Sequence, residues 1–218
     1  MKYLLLFLCL FESGQILAQE EKAFRSFIPN NFVFYRSICG DLNHDGRSDV
    51  VLIIKDTQKE HIVKNRFREM VDRNRRGLVI LFQKENGYEQ VLLNEACFSS
   101  ENEDGGVYFP PELDVSIDHN KLFINYNHGR YGSWGYTFRH QNSDFELIGY
   151  DRTEQFGPIV NREVSINFLT KKKKELVNMN ENIEDSGVED FKETWSNVET
   201  KNQIKLSEIE DFEGLYWN

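Results

Sequence analysis

Residues 113–126 read Leu113-Asp114-Val115-Ser116-Ile117-Asp118-His119-Asn120-Lys121-Leu122-Phe123-Ile124-Asn125-Tyr126. Leu113, Val115 and Ile117 fall on one side of an extended chain, and Asp114, Ser116 and Asp118 on the other. That period-2 alternation belongs to a strand with one dry and one wet face. His119-Asn120 turns the chain into the next strand. Downstream, Trp134, Tyr136 and Phe138 alternate with Gly135, Thr137 and Arg139. Asn142-Ser143-Asp144 leads into Phe145-Glu146-Leu147-Ile148-Gly149-Tyr150, and Val164, Ile166 and Phe168 mark a further strand. Short alternating strands joined by tight turns make an antiparallel meander with one solvated face.

Upstream the character changes. Asp49-Val50-Val51-Leu52-Ile53-Ile54-Lys55 and Gly77-Leu78-Val79-Ile80-Leu81-Phe82-Gln83 are continuous apolar runs. Runs without alternation predict central strands buried front and back. Glu85-Asn86-Gly87 makes the second run a hairpin with Tyr88-Glu89-Gln90-Val91-Leu92-Leu93. Residues 56–76 are polar and carry no 3.6-residue stripe, so they read as a long loop, with or without a helical turn. Residues 96–111 form a second long loop containing Glu101, Glu103 and Asp104. The lysine run at 171–174 reads as a solvated turn, and residues 178–190 as a flexible segment. Phe191, Trp195 and Val198 offer anchors for docking the tail, and Ser207 caps a short C-terminal helix. The expectation is a mainly β domain over residues 19–218: an antiparallel sheet, sandwich or partly closed barrel with long loops and a short C-terminal helix.

The first residues do not belong to that domain. Lys2, an apolar run from Tyr3 to Phe11 and a small residue at Ala18 have the pattern of a secretory signal peptide over residues 1–18. The run is shorter than the roughly 20 apolar residues of a membrane span, and no later segment is apolar enough to be one. Export to the periplasm or the extracellular space follows as the expected location. A net charge of −10 argues against non-specific nucleic-acid binding. The charge is uneven, with residues 59–76 basic and residues 175–213 acidic. After export Cys39 and Cys97 remain, a pair that is either one disulfide or two separately buried thiols.

The segment that carries chemistry is Asp41-Leu42-Asn43-His44-Asp45-Gly46-Arg47-Ser48-Asp49. Calcium takes about six to eight oxygen ligands in a flexible shell. Positions 1, 3 and 5 of a tight loop turn Asp41, Asn43 and Asp45 inward, and Gly46 permits the reversal. The carbonyl near Arg47 and the carboxylate of Asp49 complete the set, and the crowded carboxylates would repel one another without a cation. A loop that merely caps strand ends is the alternative.

This loop resembles the calcium loop of FG-GAP and VCBS repeats, the integrin-type propeller repeats. The resemblance implies Asp41, Asn43, Asp45 and Asp49 as side-chain ligands of a calcium ion, with the Arg47 carbonyl beside them. It covers the loop and its flanking strands only. A propeller needs roughly 4–8 blades, and the chain carries one copy of the loop. More broadly, the chain resembles a group of exported bacterial proteins with this single loop, which implies no activity.

Other constellations are weaker. G-x-S-x-G, H-E-x-x-H and C-x-x-C do not occur. The segment from Asn127 to Trp134 gathers His128, Arg130, Tyr131 and Trp134 around Gly129 and Gly132, residue types enriched at binding hot spots. A core role for Trp134 competes with this reading. The functional expectation is a calcium-stabilised, non-catalytic binding module with a protein or glycan partner outside the cytoplasm. The rival is a hydrolase of cell-envelope or extracellular polymers. Clustered acids with raised pKa values would favour the hydrolase, and an aromatic patch the module.

Overall fold

The computed structural model describes residues 22–104, 109–180, 190–199, 203–215 and 217; the expected signal peptide lies outside them. Strands β1 (Phe32–Gly40) and β2 (Asp49–Asp56) flank the Asp/Asn loop. Where a loop was expected, residues 56–76 fold a 3₁₀ turn and a small hairpin, β3 (Ile62–Lys64) with β4 (Met70–Asp72). Strands too short and too exposed to show alternation leave no periodic trace in sequence. β5 (Arg76–Lys84) and β6 (Gly87–Phe98) follow, and the first antiparallel sheet has the order β1-β2-β5-β6.

The second sheet is a continuous antiparallel meander of β7 (Glu112–Asp118), β8 (Lys121–Asn127), β9 (Gly132–Gln141), β10 (Asp144–Phe156), β11 (Ile159–Asn167), β12 (Lys172–Asn178) and β13 (Phe191–Asn197). His119 and Asn120, at φ 46° and 58°, make the β7–β8 turn; Asn142 and Ser143, at 52° and 63°, make the β9–β10 turn. Two successive positive φ values match the twist of the flanking strands. Of the lysine run expected as a turn, Lys171 does turn the chain, at φ 54°, while Lys172 to Lys174 begin β12 and pair with Asn167 to Ser165 of β11.

Inward residues of both sheets build one core: Val51, Ile53, Leu78 and Ile80 from the first, Leu122, Ile124, Tyr136 and Phe138 from the second. Neither sheet closes into a barrel. The alternate residues of β2 and β5, Val50, Leu52, Ile54, Val79 and Leu81, pack beneath Phe24 and Ile28 of the N-terminal segment. That cover is why both strands are apolar throughout. Residues 203–215 and 217 pack on this core, with Leu206, Ile209 and Phe212 buried. Asn94 Nδ2 donates to the Leu206 and Ile209 carbonyls at 2.9 and 2.7 Å, and the Tyr136 hydroxyl to those of Phe212 and Leu215 at 2.9 and 2.5 Å.

Several expectations change. The C-terminal helix is replaced by two 3₁₀ turns, Leu206–Glu208 and Phe212–Gly214, and the Ser207 hydroxyl bonds the Asp144 side chain rather than a helix end. Trp195 is 62% exposed on β13 and anchors nothing, whereas Val198 does pack on the core. Asn178 closes β12, and most of the segment expected to be flexible lies outside the described residues. Cys39 on β1 and Cys97 on β6 occupy opposite edges of one sheet. Three strand spacings of about 4.8 Å far exceed the Cα separation of roughly 7 Å that a disulfide tolerates, so they do not bridge. Burial pushes the Cys97 thiol pKa up.

Candidate functional site

The Asp41–Asp49 loop is held by its own carboxylates. Asp41 Oδ1 accepts the amides of His44 at 2.7 Å and Asp45 at 3.3 Å, and Oδ2 that of Gly46 at 3.0 Å. Asn43 Oδ1 accepts from Asp45 N at 2.9 Å, so the Asp41 and Asn43 oxygens converge on one amide. Asp45 Oδ1 accepts from Arg47 N at 2.9 Å. Gly46, at φ 79°, makes the reversal. Desolvation is the largest single influence on Asp41 and opposes its ionisation, but the amides of Gly46, His44 and Asp45 together outweigh it and hold its pKa below the usual range. The side chains at positions 1, 3 and 5 are thus each engaged by amides of the loop itself.

Asp49 behaves differently. It is fully buried, and its two oxygens accept Leu42 N at 2.8 Å and Gln83 N at 3.0 Å. It pins the start of the loop to the end of β5. The β7–β8 turn also joins here: Asn120 Nδ2 donates to the Asp41 carbonyl at 2.9 Å, and its Oδ1 lies 2.9 Å from His44 Nδ1. The loop therefore ties the two sheets together. Among the described residues no group of His, Cys, Asp and Glu side chains is drawn together tightly enough to hold a metal on its own. The side-chain oxygens of Asp41, Asn43 and Asp45 are the hard donors of the calcium expectation, and each residue also accepts an amide of the loop.

At a β8–β9 connection the chain makes a 3₁₀ turn, Gly129–Tyr131. The Asn127 side chain caps Gly129 N at 2.8 Å, and Gly157 N donates to the Arg130 carbonyl at 3.1 Å. Gly132 sits at φ 111° with a Cβ position 1.8 Å from the Thr153 carbonyl, so no other residue fits. This turn and the segment entering β7 enclose a pocket of about 360 Å³, lined by Phe109, Pro110, Glu112, His128, Arg130 and Tyr131, with Asn127 at its edge. His128 Nε2 lies 3.0 Å from the Phe109 carbonyl, and the His128 and Tyr131 rings are 5.0 Å apart. Phe109 is 86% and Tyr131 39% exposed. His128, Arg130 and Tyr131 come together as expected. Trp134 does not join them, because its ring stacks on Tyr126 at 5.3 Å and packs on the core. Phe109, Pro110 and Glu112 were missed; a phenylalanine before two prolines, held extended at a strand entry, was the available signal.

The basic and acidic loops neutralise each other. Buried Lys55 lies 2.5 Å from Glu101 and 3.0 Å from Asp72, and Arg73 pairs with Asp104 at 2.7 Å. Desolvation works against the Lys55 charge, yet Glu101 and Asp72 raise its pKa above the ordinary value. The acidic tail contributes Asp211, 3.3 Å from Arg75. Lys55 was legible only as the end of an apolar strand.

No protein-family model, no curated protein and no solved structure matches the chain.

Proposed function

We propose that this chain is an exported, calcium-stabilised binding module that engages its partner at the pocket beside the β8–β9 turn. The observation that carries the reading is the exposed pair of rings, Phe109 and Tyr131, set beside Arg130 and His128 on a turn immobilised by backbone hydrogen bonds. Aromatic and arginine side chains on a rigid support make good anchors, since little conformational entropy is lost on binding. The carboxylates of Asp41, Asp72, Glu146, Glu175 and Glu193 all have lowered pKa values.

Calcium would be held by the side chains of Asp41, Asn43 and Asp45, by Asp49 directly or through water, and by the Arg47 carbonyl, offsetting three aspartates that face only one arginine within the loop. Its role would be structural, because the loop joins β1, β2, the end of β5 and the β7–β8 turn. The signal-peptide pattern at residues 1–18 supports a calcium-rich location outside the cytoplasm.

The test is a pull-down from an extracytoplasmic fraction with the wild-type chain, Arg130→Ala and Tyr131→Ala. Each substitution should reduce recovery of the partner by roughly 30-fold, the effect of a hot-spot loss of about 2 kcal/mol, with the melting temperature unchanged. Equal recovery by all three proteins would move the site elsewhere.

A further inference from the structure

We infer that the pocket is one end of a longer groove that takes a glycan strand lying across the outer face of the seven-stranded sheet, a conclusion that rests on the binding reading above. Strand register aligns Asp114, Asn125, Gly135 and Asp151 directly opposite one another across β7, β8, β9 and β10. The adjacent row is Glu112, Asn127, Ser133 and Thr153. Both rows alternate with the core residues Val115, Ile124, Tyr136 and Tyr150, so they face outward.

These rows carry a second recess of about 380 Å³, lined by Asp114, Phe123, Asn125, Asp151 and Thr153. Asn127 lines both recesses, so they adjoin on this face. Gly135 forms the floor: a Cβ there would lie 2.2 Å from Asn125 Oδ1, so the bare backbone lets the Asn125 amide lie flat across the sheet. Ser165 Oγ donates to Asp151 Oδ1 at 2.6 Å, holding that carboxylate in the row.

The chemistry of the groove selects its occupant. Asp114 and Asp151 only accept hydrogen bonds, whereas Asn125, Asn127, Ser133 and Thr153 both donate and accept. Sugar hydroxyls also do both and can satisfy every position of such a mixed row. A peptide strand would seek a sheet edge with open backbone groups, but β8, β9 and β10, which carry most of both rows, are paired on both sides, and only β7 lies at an edge. A polyanion would meet Asp114, Asp151 and Glu112. Within each row successive residues repeat at the strand spacing of about 4.8 Å, which suits a polymer contacted unit after unit, and the half-exposed Phe123 ring can lie against the apolar face of a pyranose.

The experiment is affinity electrophoresis of the mature chain in gels cast with single soluble polysaccharides: hydroxyethylcellulose, xylan, starch and glycol chitin. At least one should retard the wild-type protein, and Asn125→Ala and Asp151→Ala should each weaken that retardation roughly tenfold or more at an unchanged melting temperature. Thr153→Val replaces either variant if its melting transition is lost. No retardation by any polysaccharide, or full retardation of the Asn125→Ala/Asp151→Ala double variant, overturns the groove. Arg130→Ala in the same gels separates the two readings. If it loses a pulled-down partner while no polysaccharide binds, the pocket stands and the groove falls. If the groove variants lose retardation while Arg130→Ala keeps it and its pull-down partner, the groove stands and the pocket reading falls.

Discussion

Two aspartates of one loop illustrate how burial divides similar residues. Asp49 is out of contact with solvent and satisfies the amides of Leu42 and Gln83. Asp49→Ala would leave both without a partner, and a loss of about 3 kcal/mol or more is expected. Asp45 is exposed, and its bonds lie within the loop. Asp45→Ala should change the melting temperature little in chelator, yet abolish any rise on adding calcium. For the wild-type chain, calcium at about 100 times its dissociation constant should add about 2.7 kcal/mol. Thermal melts with EDTA and with calcium read both effects. A wild-type melting curve indifferent to calcium would remove the ion while leaving the Asp49 role intact.

At the scale of elements, the segment 203–217 stabilises the sandwich more than its irregular backbone implies. Phe212 stacks on Phe98 at 5.3 Å and sits 4.9 Å from Tyr136, while Trp217 meets Tyr150 at 4.8 Å and Phe168 at 5.0 Å. Phe212→Ala should cost about 3–5 kcal/mol by chemical denaturation; a cost below about 1 kcal/mol would make the segment a loose strap. Its sequence resembles a capped helix start, but so short a stretch has little helical stability of its own. Bonds from Asn94 and Tyr136 to its carbonyls decide its path instead. By contrast, β2 and β5 were legible in sequence, because burial on both faces leaves an uninterrupted apolar run.

For the whole molecule, acid stability follows from how its carboxylates are paired. The Arg162 guanidinium, 2.5 Å from Glu175, lowers the Glu175 pKa, and Asn142 does the same for Glu146. Asp72 is opposed by desolvation but lowered overall by the Asn74 amide and by Lys55. Groups with depressed folded pKa values contribute stability above the ordinary carboxylate range and lose it as pH falls through their folded values. Lys55 has a raised pKa, so its contribution is complete at neutral pH and is lost only as pH rises through the raised value. The melting temperature should therefore hold steady from about pH 7 to 9, ease below about pH 6.5 where burial keeps His140 from taking up a proton, and fall further below about pH 4. Glu175→Gln should be less stable at neutral pH and show a shallower decline in acid. An acid profile parallel to that of the wild type would show that Glu175 gains nothing from Arg162.

The strands, the tight turns of the meander and the spacing of Asp41, Asn43, Asp45 and Gly46 are local properties, written in period and in residue type. Residues 113–126 need no partner to alternate, and a nine-position loop carries its own geometry. The tertiary structure decided what depends on residues distant in sequence. It placed Cys39 and Cys97 on opposite edges of a sheet, paired Arg73 with Asp104, and buried Lys55 between Glu101 and Asp72. It also sent Trp134 to Tyr126 while bringing Phe109 to Arg130 and Tyr131. Each of these outcomes is set by strand order and loop closure, and nothing in a residue's own neighbourhood encodes which distant strand will lie beside it.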